Sequence, residues 1–190
     1  MKIRLFVALI FEDDLLNEII DLRESIYPND NNAKWEGKDK LHLTLKFLGD
    51  VVEEDIPEIN KILETILKNH DRIGIKFSKF GIIKKYSTPK ILWMGIQQTK
   101  FLINLFNDIN DGLSDIGFEK EERRFRPHIT LIRMKGNEDI SKLEVLKSST
   151  ININSSLADE VALIKSDLLP TGSVYTKIKS FKLNRGGLNG

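Results

Sequence analysis

The sequence predicts a mixed α+β fold built from two matching halves. Three observations carry that prediction. Strand-like and helix-like segments alternate along 190 residues, enough chain for a domain with its own core. Two segments, LHLTLKFLG at 41–49 and HITLIR at 128–133, say nearly the same thing 86 residues apart. The other elements of the first half fall on like elements of the second under the same shift.

Residues 3–10 (IRLFVALI) read as a strand. Asp13 or Asp14 then caps a helix carrying Leu15, Leu16, Ile19, Ile20, Leu22 and Ile26 at helical spacing. A polar loop fills 27–40. Beyond it Leu41, Leu43, Leu45 and Phe47 point one way and His42, Thr44 and Lys46 the other, the period of a strand with one buried face. A helix from Pro57 to Lys68 presents Ile59, Ile62, Leu63, Ile66 and Leu67, with Pro57 in its first turn, where a missing N–H is harmless. Strands fit 73–80 and 90–96, followed by a helix over 99–116 with Gly117 as its C-terminal cap. The second motif strand, 128–133, precedes a short helix at 138–147 and strands at 159–165 and 173–182. The last residues, GGLNG, read as a frayed tail.

Shifted by 86, strand 3–10 lands on 89–96, helix 13–26 on 99–112, strand 73–80 on 159–166 and strand 90–96 on 176–182. Only the helix at 138–147 is out of register. The reading is one domain, 1–190, with an internal duplication. Two pseudo-symmetric lobes facing each other bring both His-x-Thr strands to one cleft.

Composition narrows the chemistry. There is no cysteine, which excludes a disulfide framework, a thiolate nucleophile and any cysteine-based zinc site. No apolar run reaches the length of a membrane span, and acids at 12–14 follow the N-terminal apolar run directly, so a cytoplasmic protein is expected. A net charge of +1 does not coat nucleic acid by bulk attraction; any contact with RNA is local.

In a strand, residues i and i+2 share a face, so His42 with Thr44 and His128 with Thr130 can each reach one bound anion. Two imidazoles and two hydroxyls around one point suit phosphoryl transfer without metal. One ring accepts a proton while the other donates one, and the hydroxyls hold the non-bridging oxygens. Three histidines and eight threonines are present. Two such pairs by accident have a chance of roughly 0.5%, which favours a motif over coincidence.

The segments HLTLKFLG and HITLIR resemble the paired motifs of the two-histidine (2H) phosphoesterase superfamily, closest to its RNA 2′,3′-cyclic phosphodiesterase, or 2′-5′ RNA ligase, branch. The likeness extends to RLFVALIF, the Trp35 segment, FLGDV, FRPHITLIR and the late strand reaching Tyr175. It implies a bilobal α+β fold of antiparallel sheet with helices outside. It implies hydrolysis of a terminal 2′,3′-cyclic phosphate on RNA to a 2′-phosphate, without cofactor, and the reverse 2′-5′ ligation. It also implies His42 as proton donor to the leaving 3′-oxygen and His128 as acceptor from the attacking water. The near-symmetric motifs alone leave that assignment open. Expected partners are tRNA-like or other single-stranded RNA ends, with the protein a monomer.

Four further residues are candidates for binding substrate. Lys46 shares His42's face. Arg133 closes the second motif, where similar proteins often carry arginine, although strict alternation points it away from His128. Arg126 lies two before His128 in a basic, glutamate-containing loop, 117–127. Tyr175 is favoured by the resemblance as a site-lining residue. Trp35, Phe125 and Tyr175 are candidates for stacking on a base. His70 has no threonine partner and reads as a surface histidine at a helix C-terminus. Three other readings remain: a phosphodiesterase for a small cyclic nucleotide derivative, a non-catalytic binder of RNA ends, and a metallohydrolase, for which no ligand pattern is present.

Overall fold

The computed structural model describes residues 1–28, 35–86, 88–134, 136, 138–170 and 172–189, so much of the polar loop expected at 27–40 lies outside the described residues. The fold is mixed α+β. In chain order the elements are β1 (Lys2–Ile10), α1 (Asp13–Ile26), β2 (Leu43–Val52), α2 (Ile56–Leu67), β3 (Asp71–Ile75), β4 (Phe77–Lys85), β5 (Thr88–Ile96), α3 (Lys100–Ser114), β6 (His128–Arg133), α4 (Ile140–Ser148), β7 (Ser156–Ala158), β8 (Glu160–Leu169), β9 (Gly172–Lys182) and β10 (Asn184–Asn189). Seven strands form one sheet in the order β4-β5-β6-β2-β1-β8-β9, with every neighbouring pair antiparallel. A second sheet has the order β10-β3-β7.

The faces of the large sheet follow from alternation along β1. Leu5, Val7 and Leu9 belong to the main core with Leu15 and Ile19 of α1, Ile59 and Leu63 of α2, and Leu102, Leu105 and Ile109 of α3. Phe6 and Ala8 belong instead to a small cluster on the other face, with Ala162, Ile164, Ile10 and Tyr175. One face therefore carries the helices and the other is left for the site. At the centre of the sheet β2 and β6 share a single registered pair, Leu43 with Ile129, so the two halves are joined narrowly there.

Three expectations are corrected. The strand expected at 73–80 breaks at Lys76; β3 joins the small sheet and β4 the large one. Neither Asp13 nor Asp14 caps α1: the cap position is Glu12, and both aspartates lie in the first turn, where their charge favours the helix dipole. The tail is not frayed through residue 189, because β10 runs parallel to β3. Asn184 N–H donates to the His70 carbonyl at 2.9 Å and its Nδ2 to the Lys68 carbonyl at 2.6 Å. A polar, glycine-rich strand has no hydrophobic period by which to recognise it. A chain ending at Leu183 should lose about 1–3 kcal/mol, two hydrogen bonds' worth, in denaturant unfolding; an unchanged midpoint would mean that β10 contributes nothing.

Candidate active site

Both motif strands carry an extra residue just after the threonine. In the β1–β2 ladder Ala8 pairs with Thr44 and Val7 with Lys46, leaving Leu45 over. In the β5–β6 ladder Trp93 pairs with Thr130 and Leu92 with Ile132, leaving Leu131 over. Each bulge turns two successive side chains to the helix-covered side, and Leu45, Lys46, Leu131 and Ile132 are all buried. The residue after each bulge returns to the histidines' face. That residue is Phe47 in β2, 74% exposed and tilted against Phe6 at 6.1 Å, and Arg133 in β6.

The bulges revise two expectations. Phe47 is not core. Lys46 does not share His42's face: it is 4% exposed, with Nζ donating to Asn110 Oδ1 of α3 at 2.6 Å and to the Glu119 carbonyl at 2.7 Å. Asn110, also buried, binds the backbone of Glu121 in turn. Burial pushes the Lys46 pKa down, and the carboxylates of Glu121, Asp111 and Glu119 oppose it. Lys46 is thus placed to fasten the loop ahead of β6 to the sheet.

The two imidazoles are held alike. His128 Nδ1 lies 2.7 Å from the Arg126 carbonyl, and the His42 ring bonds the Lys40 backbone. A carbonyl only accepts, so each ring donates there; the neutral His128 keeps its lone pair on Nε2. The lone Leu43–Ile129 pair sets His42 on Thr130's side and Thr44 on His128's. His42 stacks on Phe6 at 5.0 Å and meets the edge of Tyr175 at 5.5 Å, so Tyr175 does lie against a motif histidine. His128 meets Trp93 at 6.0 Å.

These surroundings decide His42's charge. Its pKa is lowered from 6.5 to about 4, chiefly because burial disfavours the imidazolium. Arg133 and His128 lower it further, and the Lys40 carbonyl pulls the other way. Arg133 is itself held by Glu36, whose Oε1 is 3.2 Å from Arg133 Nε and whose Oε2 is 3.7 Å from Lys40 Nζ. Glu36 N–H also donates to the Leu131 carbonyl at 2.8 Å, tying the segment before the first motif to the second.

A groove of about 1090 Å³ opens beside Thr44 and His128, between residues 46–49 and the 118–126 loop. Arg126 does not lie within the strand. β6 starts at His128, and the Arg126 side chain is exposed at the groove while its carbonyl holds the histidine. Lys120 pairs with Asp111 and Arg123 with Glu121, so half of that loop's cations are committed. Trp35 and Phe125 prove to be anchors. Trp35 Nε1 donates to the Tyr27 carbonyl at 3.2 Å beneath the Arg23 guanidinium, and Phe125 stacks on Phe106 at 4.0 Å. His70 pairs with Asp108 of α3 at 2.9 Å. Among the described residues no three histidine, aspartate or glutamate side chains gather as metal ligands, and no helix is long and apolar enough to cross a membrane.

Sequence reasoning missed Phe6, Asn110 and Trp93. Strands β1 and β5 are apolar on both faces, so their sequences show no alternation to say which side chain turns to the site.

An antiparallel α+β sheet with paired His-x-Thr strands on its uncovered face defines a class of phosphoesterase, and comparison with known proteins agrees. The LigT-like phosphoesterase profile matches residues 10–93. An RNA 2′,3′-cyclic phosphodiesterase of Methanocaldococcus jannaschii is 31% identical over 180 residues, covering 94% of this chain and 99% of that protein. One from Methanothermobacter thermautotrophicus is 27% identical, covering 96% of this chain and all of its own. The crystal structure of E. coli LigT complexed with 3′-AMP superposes with a TM-score of 0.73 at 24% identity, over 96% of this chain and 99% of that one. The chain belongs to the LigT-like phosphoesterase family.

Two outcomes follow. Lys46→Met takes the Lys46 donor from the Glu119 carbonyl and leaves the Asn110 amide oxygen with only the Glu121 N–H, so unfolding should become about 1–3 kcal/mol easier and the 118–126 amides should exchange faster. By NMR titration His42 should stay neutral down to about pH 4. Arg133→Met removes a charge that opposes imidazolium and should raise that midpoint; a fall would contradict the electrostatics described.

Proposed function

We propose that this protein hydrolyses 2′,3′-cyclic phosphate termini of RNA to 2′-phosphates, using the His42 and His128 rings as its acid–base pair. The observation that carries the reading is the adjacency of β2 and β6 through Leu43 and Ile129, which sets two carbonyl-anchored imidazoles on one uncovered face. Relatives named for this reaction, similar over nearly the whole chain, support it.

In this mechanism His128 accepts a proton from water as the water oxygen bonds to phosphorus. The bond from phosphorus to the 3′-oxygen breaks, and His42 gives that oxygen a proton. Thr44 and Thr130 donate to the non-bridging oxygens, and Arg133 and Tyr175 line the same face. His42 is neutral in the free protein at neutral pH, so it takes up its proton in company with the anionic phosphodiester, which offsets Arg133 and favours imidazolium. With a 5′-hydroxyl in place of water, the same steps join a 2′-5′ linkage. One chain carries both motifs, which supports a monomer as the working unit. A duplication at an offset of 86 underlies this site in our reading, and two lobes meet at β2 and β6. The bulges at Leu45 and Leu131, and the carbonyls of Lys40 and Arg126, support it.

The test is a short RNA ending in a 2′,3′-cyclic phosphate, incubated in excess chelator, with the product read by phosphorus NMR. Wild type should form the 2′-phosphate, and His42→Ala and His128→Ala should each lose roughly 10²–10⁴-fold in rate. Near-normal turnover in either variant would sink the two-histidine mechanism. A 3′-phosphate would mean that the other oxygen leaves, and loss of activity in chelator would overturn the metal-free chemistry. The pH dependence of kcat/KM should be bell-shaped, as a paired acid and base require, and a single ionisation would count against the pair.

A further inference from the structure

We propose that the β4–β5 hairpin is the docking surface for single-stranded RNA leading up to the cyclic phosphate. The inference rests on the reaction proposed above and names the part of the protein that holds the rest of the substrate.

The first observation is a platform. Across the site face, His128 pairs with Gly95, Thr130 pairs with Trp93 and Trp93 with Gly81, and Arg133 pairs with Ile91 and Ile91 with Ile83. Trp93 stands in the middle of this lattice. Two glycines leave room for its six-membered ring: a Cβ on Gly81 would sit 2.1 Å from Trp93 Cζ2, and one on Gly95 2.9 Å from Cζ3. Glycine inside a strand marks such a close approach. The indole is half-buried and forms a T-shaped pair with the His128 ring at 6.0 Å, so it stands beside the histidine of the second motif. A flat, supported ring is how single strands are held without regard to sequence.

The second observation is charge. Between Asp71 and Asp108 the chain has no acidic residue and seven cations, in a protein whose net charge is only +1. Five of them, Lys76, Lys79, Lys84, Lys85 and Lys90, lie in or beside the hairpin, are exposed, and make no ion pair among the described residues. Among the described residues Glu36 is taken by Arg133 and Lys40, Glu144 of α4 by Lys147, and Asp139 caps α4 through the Ser141 N–H. The 118–126 groove is the weaker candidate, because Glu119 and Glu122 line it beside Arg124 and Arg126. Ile83, 44% exposed, and Tyr86, 91% exposed, continue the apolar surface from Trp93 toward the hairpin tip. The tip lies seven residues beyond Gly95 along β5, ~23 Å at the rise of a strand, which spans several nucleotides.

The test measures affinity for a 5′-fluorescein single-stranded RNA of about eight nucleotides ending in a 2′-phosphate, which is not consumed, across a salt series. The triple variant Lys79→Ala, Lys85→Ala, Lys90→Ala should weaken binding at least tenfold and flatten the dependence of log Kd on log salt by about one to two units. Trp93→Leu should weaken it about 5- to 150-fold, with Trp93→Phe recovering part of the loss. The control is Lys177→Ala, Lys179→Ala, Lys182→Ala on β9, which removes the same charge from the opposite sheet edge and should change affinity less than twofold. Equal losses in both triple variants would mean bulk attraction and overturn the proposal. So would undiminished binding in the hairpin variant, including the case where only the groove changes Arg124→Ala and Arg126→Ala weaken it. Capture of a protein in place of RNA would overturn it too. Hydrolysis of a 2′,3′-cyclic mononucleotide by wild type, run in parallel, separates the two readings. If that hydrolysis proceeds and the hairpin variant binds normally, this inference falls and the reaction stands. If hydrolysis fails while the hairpin variant alone loses RNA, the surface stands and the reaction falls.

Discussion

The structure turns on the extra residue that follows the threonine in each motif strand. Strict alternation would send Lys46 to the histidines' face and Phe47 into the core. The bulges at Leu45 and Leu131 reverse both outcomes and bring Arg133 round to the histidines. A bulge leaves one residue unpaired and locally increases twist, so it is kept only where the redirected side chains compensate. Here the compensation is visible. Leu45 and Leu131 go to the main core, and the Lys46 ammonium finds an amide and a carbonyl in place of water.

The same geometry accounts for the lowered pKa of His42. Both rings lean on a backbone carbonyl, yet His42 lies between Phe6 and Tyr175 on the half of the sheet that also packs Ile164 and Ala162. Its proton is therefore costly until an anion arrives. A positive charge at Arg133 is tolerable nearby because Glu36 shares it, and Glu36 is fixed by its own N–H on Leu131. His42, its electrostatic neighbour and the segment before the first motif thus form one connected unit.

Much of this was legible in the sequence because it was written in periods. The four helices and the motif strands follow from apolar spacing, and α1 ends at Ile26 as its pattern says. What escaped was whatever spacing does not encode. An extra residue in a strand changes no composition, so Lys46 and Phe47 were assigned to the wrong faces. Trp93 and Phe6 lie in runs apolar on both sides, where orientation depends on which strand becomes the neighbour. Gly81 and Gly95 were the available hint for Trp93, but they carry meaning only once the ladder brings them under the same ring. Strand β10 is polar and glycine-rich and is recognisable only from its partner.

The oxygens that orient the two imidazoles belong to the main chain at Lys40 and Arg126, just outside the motif strands. A carbonyl has no residue identity. Natural variation at these two positions can therefore drift freely in size and charge while each ring keeps its tautomer. An inserted or deleted residue between carbonyl and ring would undo that tautomer without altering either histidine. Part of what orients the paired rings is thus inherited as loop length, a trait that no substitution matrix scores.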